Sequence, residues 1–351
     1  MSLRTLLASL TAGLAAATTI LAAAGPVHAD SPREHACSSS VSITGYSDAL
    51  DKTTYENTFV GNFSGLAVDH DGSLLAVSDR SSLFTLDRRT LRPKGVLPLA
   101  TETGAALDSE ALVVDRDGTR LITSETEPTV RRYDRRGRIL GSLPVPGALK
   151  VAPAGRATGN QTFEGLTLLP GGRTLLASME GSLSGDTAGI VRFQTWQRHG
   201  GGRDFGLSAQ YGYRADTGLG VVEVAGLPGG RLLVLERGFT AGVGNTVRLY
   251  AADPRRATDT SGVDVLTGQD GDGVRLVRKT LLADLVDCPS LGATAKQPQP
   301  NPLLDNIEGM AVTGADAVGL GRGRLKVLLV SDDNQNAVQT TRFYSLRVRV
   351  A

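Results

Sequence analysis

"TFEGLTLLPGGRTLLASMEG", residues 162–181, reads as two apolar strands on either side of a Gly-Gly turn, with a glutamate near each outer end. That order of apolar run, glycine turn and second apolar run is the pattern of a β-hairpin. Four other stretches repeat it: "FSGLAVDHDGSLLAVSD" from Phe63, "DSEALVVDRDGTRLITSE" from Asp108, "VVEVAGLPGGRLLVLER" from Val221 and "NIEGMAVTGADAVGLGRGRLKVLLVSDD" from Asn306. One or two further alternating segments follow each hairpin, such as "SLFTLDRR" and "KGVLPL", or "TVRLYAAD" and "VRLVRKTLLADL". Helical periodicity is almost absent. Four strands per repeat predict an all-β chain folded as a single β-propeller of four-stranded blades. Five hairpins are visible, so five or six blades are expected, a sixth having to lie within residues 46–62 or 283–304. The C-terminal "TTRFYSLRVRV" supplies only a third strand for the last blade, and the N-terminal "SVSITGYS" is the candidate to complete it and close the ring.

Ahead of this repeat, "MSLRTLLASLTAGLAAATTILAAAGPVHAD" carries one positive charge at Arg4, a run of Leu, Ala and Thr, and an A-x-A-like site at Val27-His28-Ala29. This reads as a secretory signal peptide, residues 1–29, leaving a propeller domain over 30–351. An uncleaved anchor of that length is the rival reading, and the small-residue ending favours cleavage. A secreted, extracellular protein is expected, with no membrane contact once the signal is removed. The formal net charge is +1, from 37 basic and 36 acidic residues. Such a balance argues against a nucleic-acid or membrane-surface binder, and the expected partner is a small-molecule substrate, on a monomer. The two cysteines, Cys37 and Cys288, suggest a disulfide in an exported chain, two unpaired thiols being the other reading. With no histidine cluster they make a poor zinc site.

Hairpin geometry organises the acids. Residues equidistant from a turn lie opposite one another, which pairs Glu164 with Glu180, Glu110 with Glu125, Glu223 with Glu236, and Glu308 with Asp332. The first repeat keeps Asp79 but has Ser64 where its partner acid would stand. If the first strand of each blade lines the channel, these pairs converge on one mouth. Carboxylates so gathered repel and raise one another's pKa unless cations or arginines intervene. Arg80, Arg131, Arg237 and Arg342 are near enough in sequence to serve. In the plainest reading the acids only cap strand ends and pair with these arginines. Acids at both ends of four hairpins exceed that need, and an oxygen-only ligand set suits Ca²⁺ or Mg²⁺.

The segments "FSGLAVDHDG", "SEALVV", "TFEGLTLLPGG", "LLVLERGF", "NIEGMAV" and "LLVSDDNQNAVQTTRFYSL" together resemble the phytase-like family of bacterial exported proteins, described as having esterase-like activity of phytase. The resemblance runs in one order from about Gly61 to Val348. It implies a propeller and hydrolysis of a phosphate or other ester. The patterned acids Glu110, Glu164, Glu180, Glu236, Glu308, Asp332 and Asp333 are kept, and Ser64 departs from the pattern.

A serine esterase needs a base beside its nucleophile, commonly histidine. His28 leaves with the signal, His35 precedes the first strand, His70 sits in a turn, and His199 in "RHGGGRD" reads as a loop residue. No G-x-S-x-G elbow is present. Metal-assisted hydrolysis is therefore the expectation, with Ca²⁺ held by Glu110, Glu164, Glu308, Asp332 and Asp79. Glu180 or Glu236 would be the base, and Arg237, Arg80 and Arg342 would hold a phosphate or other ester substrate. A non-catalytic propeller binding a ligand, glycan or protein at the same mouth is the alternative. "GQDGDG" around Asp270 and Asp272 lacks the downstream acid of a calcium loop and reads as a turn, and "GLGRGR" from Gly319 as the extended turn of the last hairpin.

Overall fold

The computed structural model describes residues 35–198, 200–269, 271–316 and 323–350. His199, Asp270, most of the Gly319 turn and residues 1–34, which include the stretch expected to be a signal peptide, lie outside them. Within these residues the chain forms five four-stranded antiparallel sheets, the blades of a β-propeller. Blade 1 comprises Phe63–Val68, Leu74–Ser78, Ser82–Leu86 and Pro93–Pro98; blade 2 comprises Ser109–Val114, Arg120–Ser124, Thr129–Tyr133 and Ile139–Ser142. Blade 3 is built from Phe163–Leu168, Thr174–Met179, Ile190–Arg198 and Phe205–Arg214, and blade 4 from Gly220–Gly226, Leu232–Thr240, Gly244–Asp253 and Arg278–Asp284. Blade 5 takes Ile307–Ala315, Leu325–Ser331 and Phe343–Val348 from the C-terminal part and Val41–Ser47 as its outer strand. The first strands of successive blades pack on one another in a closed cycle, blade 5 returning to blade 1.

The repeated turn explains the repeated sentence. In "DHDGS" and "DRDGT" the backbone closes from Asp69 to Ser73 and from Asp115 to Thr119 at 2.9 and 2.8 Å. Gly72 and Gly118 take φ of +84° and +80°, a region open to glycine at little cost. The preceding Asp71 and Asp117 each accept the N–H two residues on, so the side chain satisfies what the turn leaves unpaired. Between the blades lie five apolar clusters, one per interface. Phe163, Trp196 and Leu121 fill that of blades 2 and 3, and Phe63, Phe84 and Phe343 that of blades 5 and 1.

Every inner strand carries a register shift at its mouth end, between Phe63 and Gly65, Ser109 and Leu112, Phe163 and Leu166, Val221 and Glu223, and Ile307 and Gly309. Such bulges bend a strand and re-aim a side chain. Close approach follows: a Cβ added to Gly65 would lie 2.5 Å from the Glu110 carbonyl oxygen. Glu223 is buried among these bulges, where its Oε1 accepts the N–H groups of Leu166 (3.1 Å) and Val224 (2.9 Å).

No sixth four-stranded sheet occurs among the described residues. Past the end of Val41–Ser47, residues 46–62 hold only the two-stranded ribbon Thr53–Tyr55 and Thr58–Val60, and past the end of Arg278–Asp284, residues 283–304 hold a short 3-10 turn and a loop. Ring closure runs as the sequence suggests, Val41 pairing with Val348 and Ser47 with Phe343. Cys37 and Cys288 form a disulfide just ahead of that closing strand, 251 residues apart in sequence. A cross-link over so long a loop restricts the unfolded chain strongly. Replacing both cysteines by serine is expected to lower unfolding free energy by about 2–5 kcal/mol. Urea denaturation measures it, and an unchanged midpoint would contradict a closing role for the bridge.

Candidate metal centre

The bulged ends of the inner strands and the ends of the strands after them meet around a cavity of about 310 Å³ on the propeller axis. Blade 1 contributes Ser64, Asp79 and Arg80; blade 2 Asp108, Glu110 and Glu125; blade 3 Glu164 and Glu180; blade 4 Arg237; blade 5 Glu308 and Asp332. Eight carboxylates thus face two arginines. Arg80 is 61% exposed at the rim, its Nε 3.5 Å from Asp79.

Two triads of oxygens lie close enough to share one ion: Asp108, Glu110 and Glu125, then Glu125, Glu164 and Glu180, each with its chosen oxygens within 4.8 Å of one another. The shared member is Glu125. Partners on the rest of the wall are unevenly spread. Glu308 accepts Arg237 Nη2 at 2.7 Å and Asn306 Nδ2 at 3.0 Å, Asp332 accepts the Asn334 N–H at 2.7 Å, and Asp108 accepts the Thr126 hydroxyl at 3.1 Å. Among the described residues no N–H or O–H donor bonds the carboxylates of Glu110 or Glu180, and Glu164 shares a hydrogen bond with Glu125. The Ser64 hydroxyl, 2% exposed, faces the same cavity with no partner.

Electrostatics follow from this crowding. Burial, then the charges of Glu308 and Glu125, hold the Glu110 carboxyl well above the usual range, and burial with Glu110 and Glu180 does the same to Glu164. Burial and Glu180 push Glu125 up to about 7; burial and Asp332 push Asp79 to about 7. Glu308 also reaches about 7, burial outweighing the lowering by Arg237. Desolvation works against the Arg237 charge, but Glu308, Glu180, Glu164 and Asp332 around it raise its pKa. A second positive charge among the triads would relieve the same repulsion, and the donors there are hard oxygens.

Several sequence-derived candidates stand elsewhere. Glu236 does not reach the cavity: it lies between blades 3 and 4, accepting the Tyr213 hydroxyl and Lys279 Nζ at 2.6 Å each and the Asp216 N–H at 2.8 Å. The cause is register. Val221 pairs with Glu236 as Phe163 pairs with Met179 and Ser109 with Ser124, so Arg237, not Glu236, occupies the place of Glu180 and Glu125. Glu223 is likewise one residue inward of its presumed place, and the two do not pair at the mouth. Arg342 is also no substrate arm. It is 1% exposed and fully used, with Nε and Nη2 on Asp48, Nη1 on the Pro302 and Leu303 carbonyls, and Nη2 on that of Thr294. Arg131 is held by Glu102 and Glu127, and Asp333 by Lys52 and the Asn62 N–H, away from the cavity wall. Glu110, Glu164, Glu180, Arg237, Arg80, Asp79, Glu308 and Asp332 are brought together, though the last three lie outside both triads. Asp108 was not foreseen. Its place two residues before Glu110, just ahead of the strand, was the available signal.

The family model for phytase-like proteins, described as esterase-like activity of phytase, matches residues 58–335. No curated protein matches the chain. Among solved structures the chain is similar to a glutaminyl cyclase from Myxococcus xanthus, at 12% identity and a TM-score of 0.43 over 89% of this chain and 97% of that one. It is also similar to a gluconolactonase from Xanthomonas campestris, at 14% identity and 0.41 over 83% and 73%. A PQQ-bound aldose sugar dehydrogenase from Streptomyces coelicolor aligns at 15% identity and 0.40 over 88% and 98%.

The pKa shifts set a pH dependence. Groups raised to about 7 in the folded chain and ionising near 4 when unfolded add stability that is full below pH 4 and lost as pH rises through 7. The cation-free protein is therefore expected to melt several degrees higher at pH 5 than at pH 8. Ca²⁺, competing with those protons, should raise the melting temperature more at pH 8. Thermal melts in chelator and in Ca²⁺ check both; a flat profile without cation would contradict the picture.

Proposed function

This chain belongs to the phytase-like family, and from that membership and the shared carboxylate triads we propose that it hydrolyses a small phosphate or other ester at the channel mouth, with Ca²⁺ as cofactor. The donor set fits a hard divalent ion. Asp108, Glu110, Glu125 and Glu164 would hold it, with Ser64 supplying a neutral oxygen. When bound, such an ion supplies Lewis-acid charge to the ester oxygens and to an attacking water.

The chain's own residues divide the remaining work. Glu180 stands where the acidic cavity meets a second cleft of about 440 Å³ lined by Gly181, Gly218 and Gly220, and Glu180 and Arg237 line both. Gly220 makes room for it: a Cβ there would fall 2.8 Å from Glu180 Cγ. Burial raises the Glu180 pKa, which suits a carboxylate that takes and returns a proton near neutrality. Arg237 is fixed on one side by Glu308, while its Nε has no hydrogen-bond partner in the buried wall. It would donate to the anionic oxygens of the substrate, with exposed Arg80 meeting the same group from the rim. The alcohol portion would extend into the glycine-lined cleft. Export of the chain fits its disulfide, a bond that persists in oxidising compartments.

The observation that carries this reading is the placement of Glu180, at the outer end of the linked triads, next to Arg237 and the second cleft. Its test is a panel of phosphate and carboxylate esters, assayed in chelator and with Ca²⁺ restored. Activity should vanish in chelator and return with Ca²⁺. Glu180→Gln is expected to lower kcat about 10²–10⁴-fold while keeping the Ca²⁺-induced rise in melting temperature. Arg237→Gln should raise KM more than it lowers kcat. Full activity in excess chelator would overturn metal assistance, and a Ca²⁺ response with no ester cleaved would return the protein to a ligand-binding propeller.

A further inference from the structure

A second charged cavity, of about 800 Å³, shares no lining residue with the acidic one. It is framed by the connection between the third and fourth strands of blade 4 and by the end of the last strand of blade 3. Arg214, Arg255, Arg256, Arg275 and Arg278 line it, and among the described residues no carboxylate does. Val274 and Leu276 form its apolar part.

The frame is fixed rather than draped. The Thr260 and Val277 N–H groups donate to the Gln210 and Gly212 carbonyls of blade 3 at 2.8 Å each. Leu266, fully buried, donates its N–H to Asp186 at 3.0 Å, and Arg192 grips the same carboxylate through Nε and Nη2. On this frame each arginine keeps donors to spare. Arg255 uses one edge on Asp253, through Nε at 2.8 Å and Nη2 at 2.6 Å. Arg275 uses Nε on the Arg256 carbonyl, and Arg214 uses Nη2 on that of Gly268. Arg278 comes no nearer to Asp253 than 3.9 Å, and the Arg256 guanidinium has no partner among the described residues.

Five guanidinium groups around one cavity, with Asp253 already engaged by Arg255 and no carboxylate among the described lining residues, repel one another unless an anion joins them. Guanidinium forks match phosphate oxygens two at a time, and a fixed backbone removes much of the ordering cost of binding. We infer that this groove binds a compact polyanion carrying two or more phosphate groups, its charges on the arginines and its linking atoms over Val274 and Leu276. The acidic cavity without a cation would repel such a ligand, so the two sites are electrostatic opposites. The inference does not depend on the proposed hydrolysis.

Titration calorimetry with tripolyphosphate, in 150 mM salt (about an 8 Å screening length) and excess chelator, tests it. One saturable site is expected, with orthophosphate binding at least about tenfold more weakly because one group spans fewer arginines. Arg256→Gln with Arg275→Gln should weaken tripolyphosphate about tenfold or more. Glu164→Gln should leave it unchanged. If the double variant melts early, Arg256→Gln alone, a side chain with no partner to lose, must weaken binding without moving the melting temperature. Absence of saturable binding at this salt, equal affinity in the arginine variants, or loss of binding in Glu164→Gln would each overturn the assignment.

Discussion

Five strands standing side by side around one axis leave little room, and that crowding governs the molecule. Where they meet, the sequence turns to glycine or alanine: Gly65, Ala111, Gly165 and Gly309 occupy matching places, and a Cβ on Gly165 would sit 2.8 Å from the Val224 nitrogen. Each strand also bulges there, which frees backbone N–H groups and swings the preceding side chain toward the axis. Glu223 answers the first consequence by accepting two of those N–H groups from inside the ring. The mouth carboxylates are the second.

Such a mouth is costly for a protein without counterions. Burying carboxylates and setting them against one another both favour the protonated form, and Arg237 offsets only part of this. Folds tolerate local opposition of this kind chiefly where a site requires it. The rest of the protein shows the contrasting treatment of buried charge. Asp115 is clasped by Arg132 and Arg198 at 2.7 and 2.6 Å, and Glu236 and Asp216 are tied to Lys279, which also sits 4.1 Å from the Tyr250 ring centre. Those groups hold neighbouring blades together, with their partners supplied by the chain itself.

The propeller, its four-strand blades and its closure by the N-terminal strand were legible in the sequence because the hairpin recurs with its turn residues intact. The acids of blades 2, 3 and 5 were legible for the same reason. Blade 4 was misread. Counting outward from its Gly-Gly turn puts Glu236 at the mouth, yet laying "LLVLER" over "LLASME" on their shared Leu-Leu pair brings Arg237 onto Glu180. A slip of one residue moves a side chain to the opposite face of a strand, so that error exchanged a structural glutamate for the arginine of the site. Arg342 was misread for a different reason. Its partners, Asp48 and the carbonyls of Thr294, Pro302 and Leu303, come from distant segments that no local pattern brings together.

Closure of blade 5 also fixes an order of events. Its outer strand, Val41–Ser47, precedes every strand of blades 1 to 4 in the chain, and the strand it must pair with, Phe343–Val348, follows them all. Blades 1 to 4 can each assemble as their own residues emerge, but Val41–Ser47 stays unpaired until the rest of blade 5 has followed them. Until then the growing ring carries an open sheet edge of the kind that invites pairing with other chains. The last pairing to form is thus the one that turns a row of hairpins into a ring and removes that hazard.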